Sequence, residues 1–187
     1  MITKDQTLGL LHSKMQSVNL RKHCYSVAAV MRFLAVKLEG NPDMWEIVGL
    51  LHDGDYEFTK EDPANHAKLM AKWVKELGET DEELLEGIES HGWFHEGKKP
   101  KTKMQWALFC CDELTGLIIA VTLVRPDKKL KNVTVENVMS KWNSKSFAAG
   151  VKRSDIENCE KELGIKLPDF IQIALTAMQG ISEELGL

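Results

Sequence analysis

The chain has 187 residues, 43% of them hydrophobic and 28% charged, with a formal net charge of −4. Against roughly 150 residues per domain that length indicates one domain, and the composition excludes a disordered, collagen-like or low-complexity chain. The balance of 28 acidic over 24 basic residues argues against broad binding to a nucleic-acid backbone. No stretch approaches the roughly 20 apolar residues of a membrane span. The N-terminus, MITKDQTLGLLHSKMQ, lacks the basic-then-apolar layout of a signal peptide, so no membrane association and a cytoplasmic location are expected. Cys24, Cys110, Cys111 and Cys159 show no C-x-x-C spacing and imply neither a disulfide framework nor a cysteine zinc site.

Helical periodicity predominates and no strand-like alternation bounded by turn residues appears, so the expected fold is all-α, a helical bundle. A first helix is predicted near 4–16 and a second near 19–38, ended by Gly40-Asn41-Pro42. A third runs from Pro42 to about Asp53 and is apolar on every side, the mark of a central buried helix. The next, about Asp62 to Leu77, places His66, Leu69, Met70 and Trp73 on one stripe before Gly78. Thr80 with Glu83 forms a capping-box pattern for a helix ending at His91-Gly92. A loop over 92–103 precedes a long helix from Met104 to Val124. Shorter helices follow near 134–142, 154–163 (Ser154 with Glu157 as a second capping box) and 168–185, opened by Pro168. Residues from about 126 to 187 read as a helical C-terminal extension of a single domain, because about 60 residues would bury little core alone.

Six histidines are what composition leaves unexplained. His23 continues the stripe of Leu20 and Val27, and His66 and His91 lie on the apolar stripes of their helices. His52-Asp53 ends the most buried helix. Asp112 falls between Leu108 and Thr115 on an otherwise apolar helix, and an isolated buried carboxylate normally finds a partner or a metal. Singly, each histidine reads as a hydrogen-bonded core residue; together they suit a metal held by nitrogen and oxygen. His12 lies on an apolar stripe without a companion and reads as structural, and His95 stays outside the set.

The order His23, His52-Asp53, Asp112 on successive helices resembles the HD superfamily of metal-dependent phosphohydrolases over about residues 20–125. His66 in NHAKLMAKW and His91 in GIESHG lie where binuclear members, such as the bacterial diadenosine tetraphosphate hydrolases and HD-GYP phosphodiesterases, insert two further histidines. The stretches CDELTGLI, VRPDKKL and KSFAAGVKR resemble a group of uncharacterised bacterial predicted HD hydrolases. No GYP motif follows, so cyclic-dinucleotide hydrolysis is not indicated. The resemblance implies two divalent transition metals, from among iron, manganese, cobalt, nickel and zinc. His23, His52, Asp53 and Asp112 would hold the first, and a bridging, catalytic Asp53 would share a second with His66 and His91. It further implies hydrolysis of a phosphate ester or anhydride of a small phosphorylated, nucleotide-like substrate by a metal-bridged hydroxide.

Around this set, Asp55 and Glu57 read either as acid–base or water-holding groups or as solvated loop carboxylates. The substrate-binding candidates are Thr115, one turn beyond Asp112, with Arg125, Lys103 and Lys128 from the lysine- and arginine-bearing loops, whose alternative reading is solvated surface. Trp93 and Phe94 offer base stacking or plain packing. Three rival functions stay open: a di-iron HD-type oxygenase, a non-catalytic HD signalling or ligand-binding module, and a helical protein with buried histidines. The C-terminal helices either close the pocket or form a homo-oligomer interface.

Overall fold

A computed structural model describes residues 2–144 and 146–187. The helices are α1 (Lys4–Lys14), α2 (Val18–Lys37), α3 (Pro42–Leu51), α4 (Tyr56–Thr59), α5 (Lys68–Glu76), α6 (Glu82–Gly92), α7 (Lys103–Leu123), α8 (Val135–Met139), α9 (Arg153–Leu163), α10 (Leu167–Gln179) and α11 (Ser182–Leu185). No strand occurs among the described residues, and the chain is all-α. Side-chain caps start the site-bearing helices. Ser17 opens α2 by accepting the Leu20 N–H, and Asn41 opens α3 by accepting those of Asp43 and Met44. Thr102 and Gln105 form a reciprocal capping box on α7. Each satisfies backbone donors that a helix start leaves unpaired. Pro42 sits in the first turn of α3, where its missing N–H costs nothing.

α3 is central. Trp45, Ile47, Val48, Leu50 and Leu51 are all buried, with α2 packed on one side and α6 on another. The crossing with α2 is close enough to require glycine at Gly49, where a Cβ would fall 2.7 Å from the Ala28 Cα. α7 lies along α2 and α6, and α9 and α10 cover α7 and α2. One hydrophobic cluster runs from Ile2 through Val27, Val48, Ile88 and Leu114 to Phe170 and Leu185, so the C-terminal helices share the core of the rest.

Five local expectations change. The helix expected from Asp62 begins only at Lys68; before it, Pro63–Asn65 makes one 3-10 turn and Ala67 takes φ +65°. The caps expected at Thr80 and Ser154 move: Asp81 caps α6 with its own carboxylate, and Ser154 lies inside α9, whose N-cap is Lys152. The C-terminal helix divides at Gly180-Ile181 into α10 and α11. α7, 21 residues long, proves long and apolar enough by length and composition to cross a membrane, against the sequence expectation. Yet 56% of its most apolar stretch is buried inside the fold, as befits a core helix. The KSFAAGVKR stretch begins near Lys145, which lies outside the described residues.

Candidate metal centre

His52 caps the C-terminus of α3, its N–H bonded to the Val48 carbonyl. Its ring is fully buried, and Nδ1–H donates to the Gly49 carbonyl at 2.8 Å. That bond leaves the Nε2 lone pair free to face the cluster. There it meets His23 Nε2, from α2, at 3.2 Å. Asp112 Oδ1, from α7, lies 2.9 Å from His23 Nε2 and 3.6 Å from His52 Nε2. Asp53 Oδ2 lies 3.8 Å and 3.9 Å from the same two nitrogens. Donors bound about 2.0–2.2 Å from one cation sit about 3.0–3.5 Å from one another. One nitrogen each of His23 and His52 and one Asp112 oxygen lie within 4.8 Å of one another and fit a divalent metal by geometry and by donor chemistry, with Asp53 Oδ2 just outside the spacing of bound donors; His52, Asp53 and His91 form a second such group.

The other oxygen of Asp53 turns to a second group. Oδ1 lies 3.1 Å from His66 Nε2 and 3.1 Å from His91 Nε2. His91 rides on α6 and meets His52 and His66 edge to face, with ring centroids 4.7 Å and 5.0 Å away. His66 stands outside any helix, between the 3-10 turn and α5. Its Nδ1–H donates to Asp55 Oδ1 at 2.8 Å. Asp55 is fully buried, and its second oxygen accepts the Met70 N–H at the start of α5 at 3.0 Å. Thus Asp55 holds His66 and is no solvated loop carboxylate. Glu57 instead accepts the N–H groups of Gln16 and Ser17 and ties the α1–α2 connection to the turn after His52.

Charge is tightly organised here. Burial would raise the Asp53 pKa, but the imidazoles of His52, His66 and His91 hold it well below the usual carboxylate range. Asp112 is held low in the same way by His23 and His52 against burial. Burial opposes protonation of His66, yet its bonds to Asp53 and Asp55 prevail and lift it to about 9. His91 is also raised, by Asp53 and Asp112. All four cysteines are free and buried, and burial pushes the Cys24 and Cys111 thiols well up, which removes thiolate chemistry near neutral pH.

The cluster opens into a cavity of about 390 Å³, walled by Asp53, His66, His91 and Asp112. Its rim carries Tyr56, Phe94, His95, Lys60 and Lys152. Among the substrate-binding candidates, Thr115 is buried behind the cluster, 3.5 Å from His23 Nδ1 and bonded to the Asp112 carbonyl. Arg125, Lys103 and Lys128 are not among the lining residues. At about 1.5 Å per residue, Arg125 lies roughly 20 Å beyond Asp112 along the helix axis and Lys103 roughly 13 Å before it. Arg125 bonds Asp127 and Asn137 instead. The cations at the cavity are Lys60 and Lys152, neither of them singled out from the sequence. His95, left outside the set by sequence, stands on the cavity wall with its ring 6.1 Å from His66. Partial burial and the nearby His66 and His91 lower its pKa. His12 is exposed and bonded to the Tyr25 hydroxyl at 2.6 Å, not on a buried stripe. Phe94 reaches the rim, while Trp93 is buried beneath it.

No curated protein and no solved structure matches the chain significantly. The HD domain matches residues 20–138, which covers nearly all of α2, the whole of α3 to α7 and nearly all of α8. That span contains all six residues of the histidine–aspartate cluster, and on that match the chain belongs to the HD superfamily of metal-dependent phosphohydrolases.

Proposed function

We propose that this protein is a metal-dependent phosphohydrolase that cleaves a phosphate ester or anhydride of a small phosphorylated substrate, nucleotides included, in the cytoplasm. His23, His52, Asp53 and Asp112 would hold one divalent cation, and His66 and His91, with Asp53, would hold a second. The observation that carries this reading is the orientation of Asp53, with Oδ2 towards His23 and His52 and Oδ1 towards His66 and His91. Divalent cations supply Lewis acidity at a phosphoryl oxygen and lower the pKa of bound water towards neutrality. The chain's own groups do the rest. Asp53 and Asp112 remain ionised, His52 and His66 are locked with Nε2 turned inward by the Gly49 carbonyl and by Asp55, and Lys60 and Lys152 draw an anion to the cavity. A volume of about 390 Å³ falls in the range of about 300–1,000 Å³ typical of small-molecule sites.

Metal analysis of the purified protein beside Asp53→Ala, with a panel of phosphate substrates, tests the assignment. About two transition metals per chain are expected in the native protein, as in other two-metal hydrolases, largely lost in the variant together with phosphate release. A native protein that binds no metal on reconstitution overturns the reading, and one metal per chain confines the site to a single half of the cluster. Oxygen consumption by the iron-loaded protein without phosphate release would replace hydrolysis with dioxygen chemistry.

A further inference from the structure

The cavity wall is not built by the HD-matched residues alone. Lys152 and Asp155 come from the start of α9, beyond the match that ends at residue 138. Lys152 is anchored there by its backbone. Its N–H donates to Glu113 Oε2 at 3.1 Å, and Glu113 adjoins Asp112 on α7. Arg153, the next residue, gives its guanidinium to the carbonyls of Phe147, Ala148 and Val151 and so clamps the approach to α9. Lys152 is exposed, and its ammonium rests 3.8 Å from the centroid of the Phe94 ring, which also lines the cavity. Among the described residues no carboxylate lies within ion-pair distance of it. Contact with an aromatic face holds an exposed cation by only about 0.5–1 kcal/mol, so the side chain is placed at the mouth and is readily released to an anion.

Resting on the hydrolase reading above, we propose that Lys152 is a specificity-determining residue that binds a second anionic group of the substrate, distinct from the phosphoryl group at the histidine–aspartate cluster. Bound metals would answer the charge of the reacting phosphoryl group at the histidine–aspartate cluster, whereas Lys152 lines the cavity beside Phe94 and is not needed there. Asp155 and Glu113 share its wall. They disfavour a loosely held anion and leave the ammonium as the recognising group on that side. The substrates are therefore bisphosphates, or phosphates that also carry a carboxylate, in preference to simple monophosphates.

Binding of two non-hydrolysable probes to the manganese-loaded full chain, by calorimetry, tests this: propylphosphonate, with one anionic group, and 1,3-propanediphosphonate, with two. The native protein binds the diphosphonate more tightly. In Lys152→Met, which keeps the aliphatic stem on Phe94 and removes the charge, that preference falls about tenfold, the size of one charge-assisted hydrogen bond. Lys152→Arg retains it. Equal affinity for both probes in the native protein, or an unchanged preference in Lys152→Met at unchanged metal content, overturns the proposal. The outcome is separable from the hydrolase reading: a Lys152-dependent preference in a protein that releases no phosphate from any substrate keeps the anion site and rejects hydrolysis.

Discussion

Asp55 does for His66 what the Gly49 carbonyl does for His52: it accepts the hydrogen bond from Nδ1–H and so turns Nε2 towards Asp53. Removing such a partner from a metal-binding imidazole commonly costs about 10–100-fold in metal affinity. Asp55→Ala is therefore expected to weaken the His66–His91 half of the centre by about that factor, while His23, His52 and Asp112 keep theirs; stepwise metal titration reads the two halves separately, and an unaltered second step would remove Asp55 from this role. The variant also strands the buried Met70 N–H, which adds about 1–3 kcal/mol of destabilisation. At this scale the sequence was legible for residue types and opaque for partners. His23, His91 and Asp112 are picked out by their helical phase, and His52-Asp53 by its place at the end of the most buried helix. Asp55 could not, because a carboxylate two positions after the His-Asp pair reads equally as loop or as hydrogen-bond acceptor until the fold brings His66 to it.

The sequence places His66 on a helical stripe, and the structure corrects the reason for its inward position. The expected stripe needs a helix from Asp62, but the segment is a 3-10 turn after Pro63 and the helix begins at Lys68. What replaces the helix is a contact between elements. The His66 carbonyl lies against Gly92 at the end of α6, so closely that a Cβ on Gly92 would stand 2.2 Å from its oxygen. Ala67 meanwhile adopts φ +65°, a conformation that costs about 1–3 kcal/mol in a residue with a side chain and is sustained by the bonds of Asp55 on either side of it. Gly92→Ala should push the His66 segment away from α6. Overpacking of this kind costs about 1–3 kcal/mol, about 2–4 °C in Tm per kcal/mol for a chain of this size. Metal content should fall towards the one ion of the His23, His52 and Asp112 half. Thermal unfolding with metal analysis checks both, and a variant with native stability and full metal content would show that the close approach is unimportant.

Across the whole molecule, the protons on His66 and His91 link stability to pH. With no metal bound, His66 titrates near 9 against a value of about 6.5 in the unfolded chain. Because the folded value is raised, its contribution to stability is fully present below about pH 6.5 and is lost as pH climbs through about 9. Metal binding must expel those protons, so affinity follows the opposite course. The Tm advantage of the metal-free native protein over His66→Ala should shrink between about pH 6.5 and 9, while metal affinity rises over the same window. Scanning calorimetry and metal titration at several pH values measure the two trends, and parallel changes in both would contradict the linkage.

The all-α class, the order of the main helices and the inward phase of His23, His91 and Asp112 are legible in the sequence, because 3.6-residue periodicity is a local property that neighbouring residues encode. Two things awaited the tertiary structure. Asp55 reaches His66, and Lys152 arrives at the cavity from beyond the matched domain. The same holds for the lysines and arginine proposed from the loops after His91 and Asp112. Their charge is evident, but a long helix carries Arg125 and Lys103 away from the site at either end, and the packing of α9 on α7 brings Lys152 to the cavity while the turn after α4 brings Lys60. Such contacts join residues far apart in the chain, and no local pattern encodes a distance that depends on how every intervening helix packs.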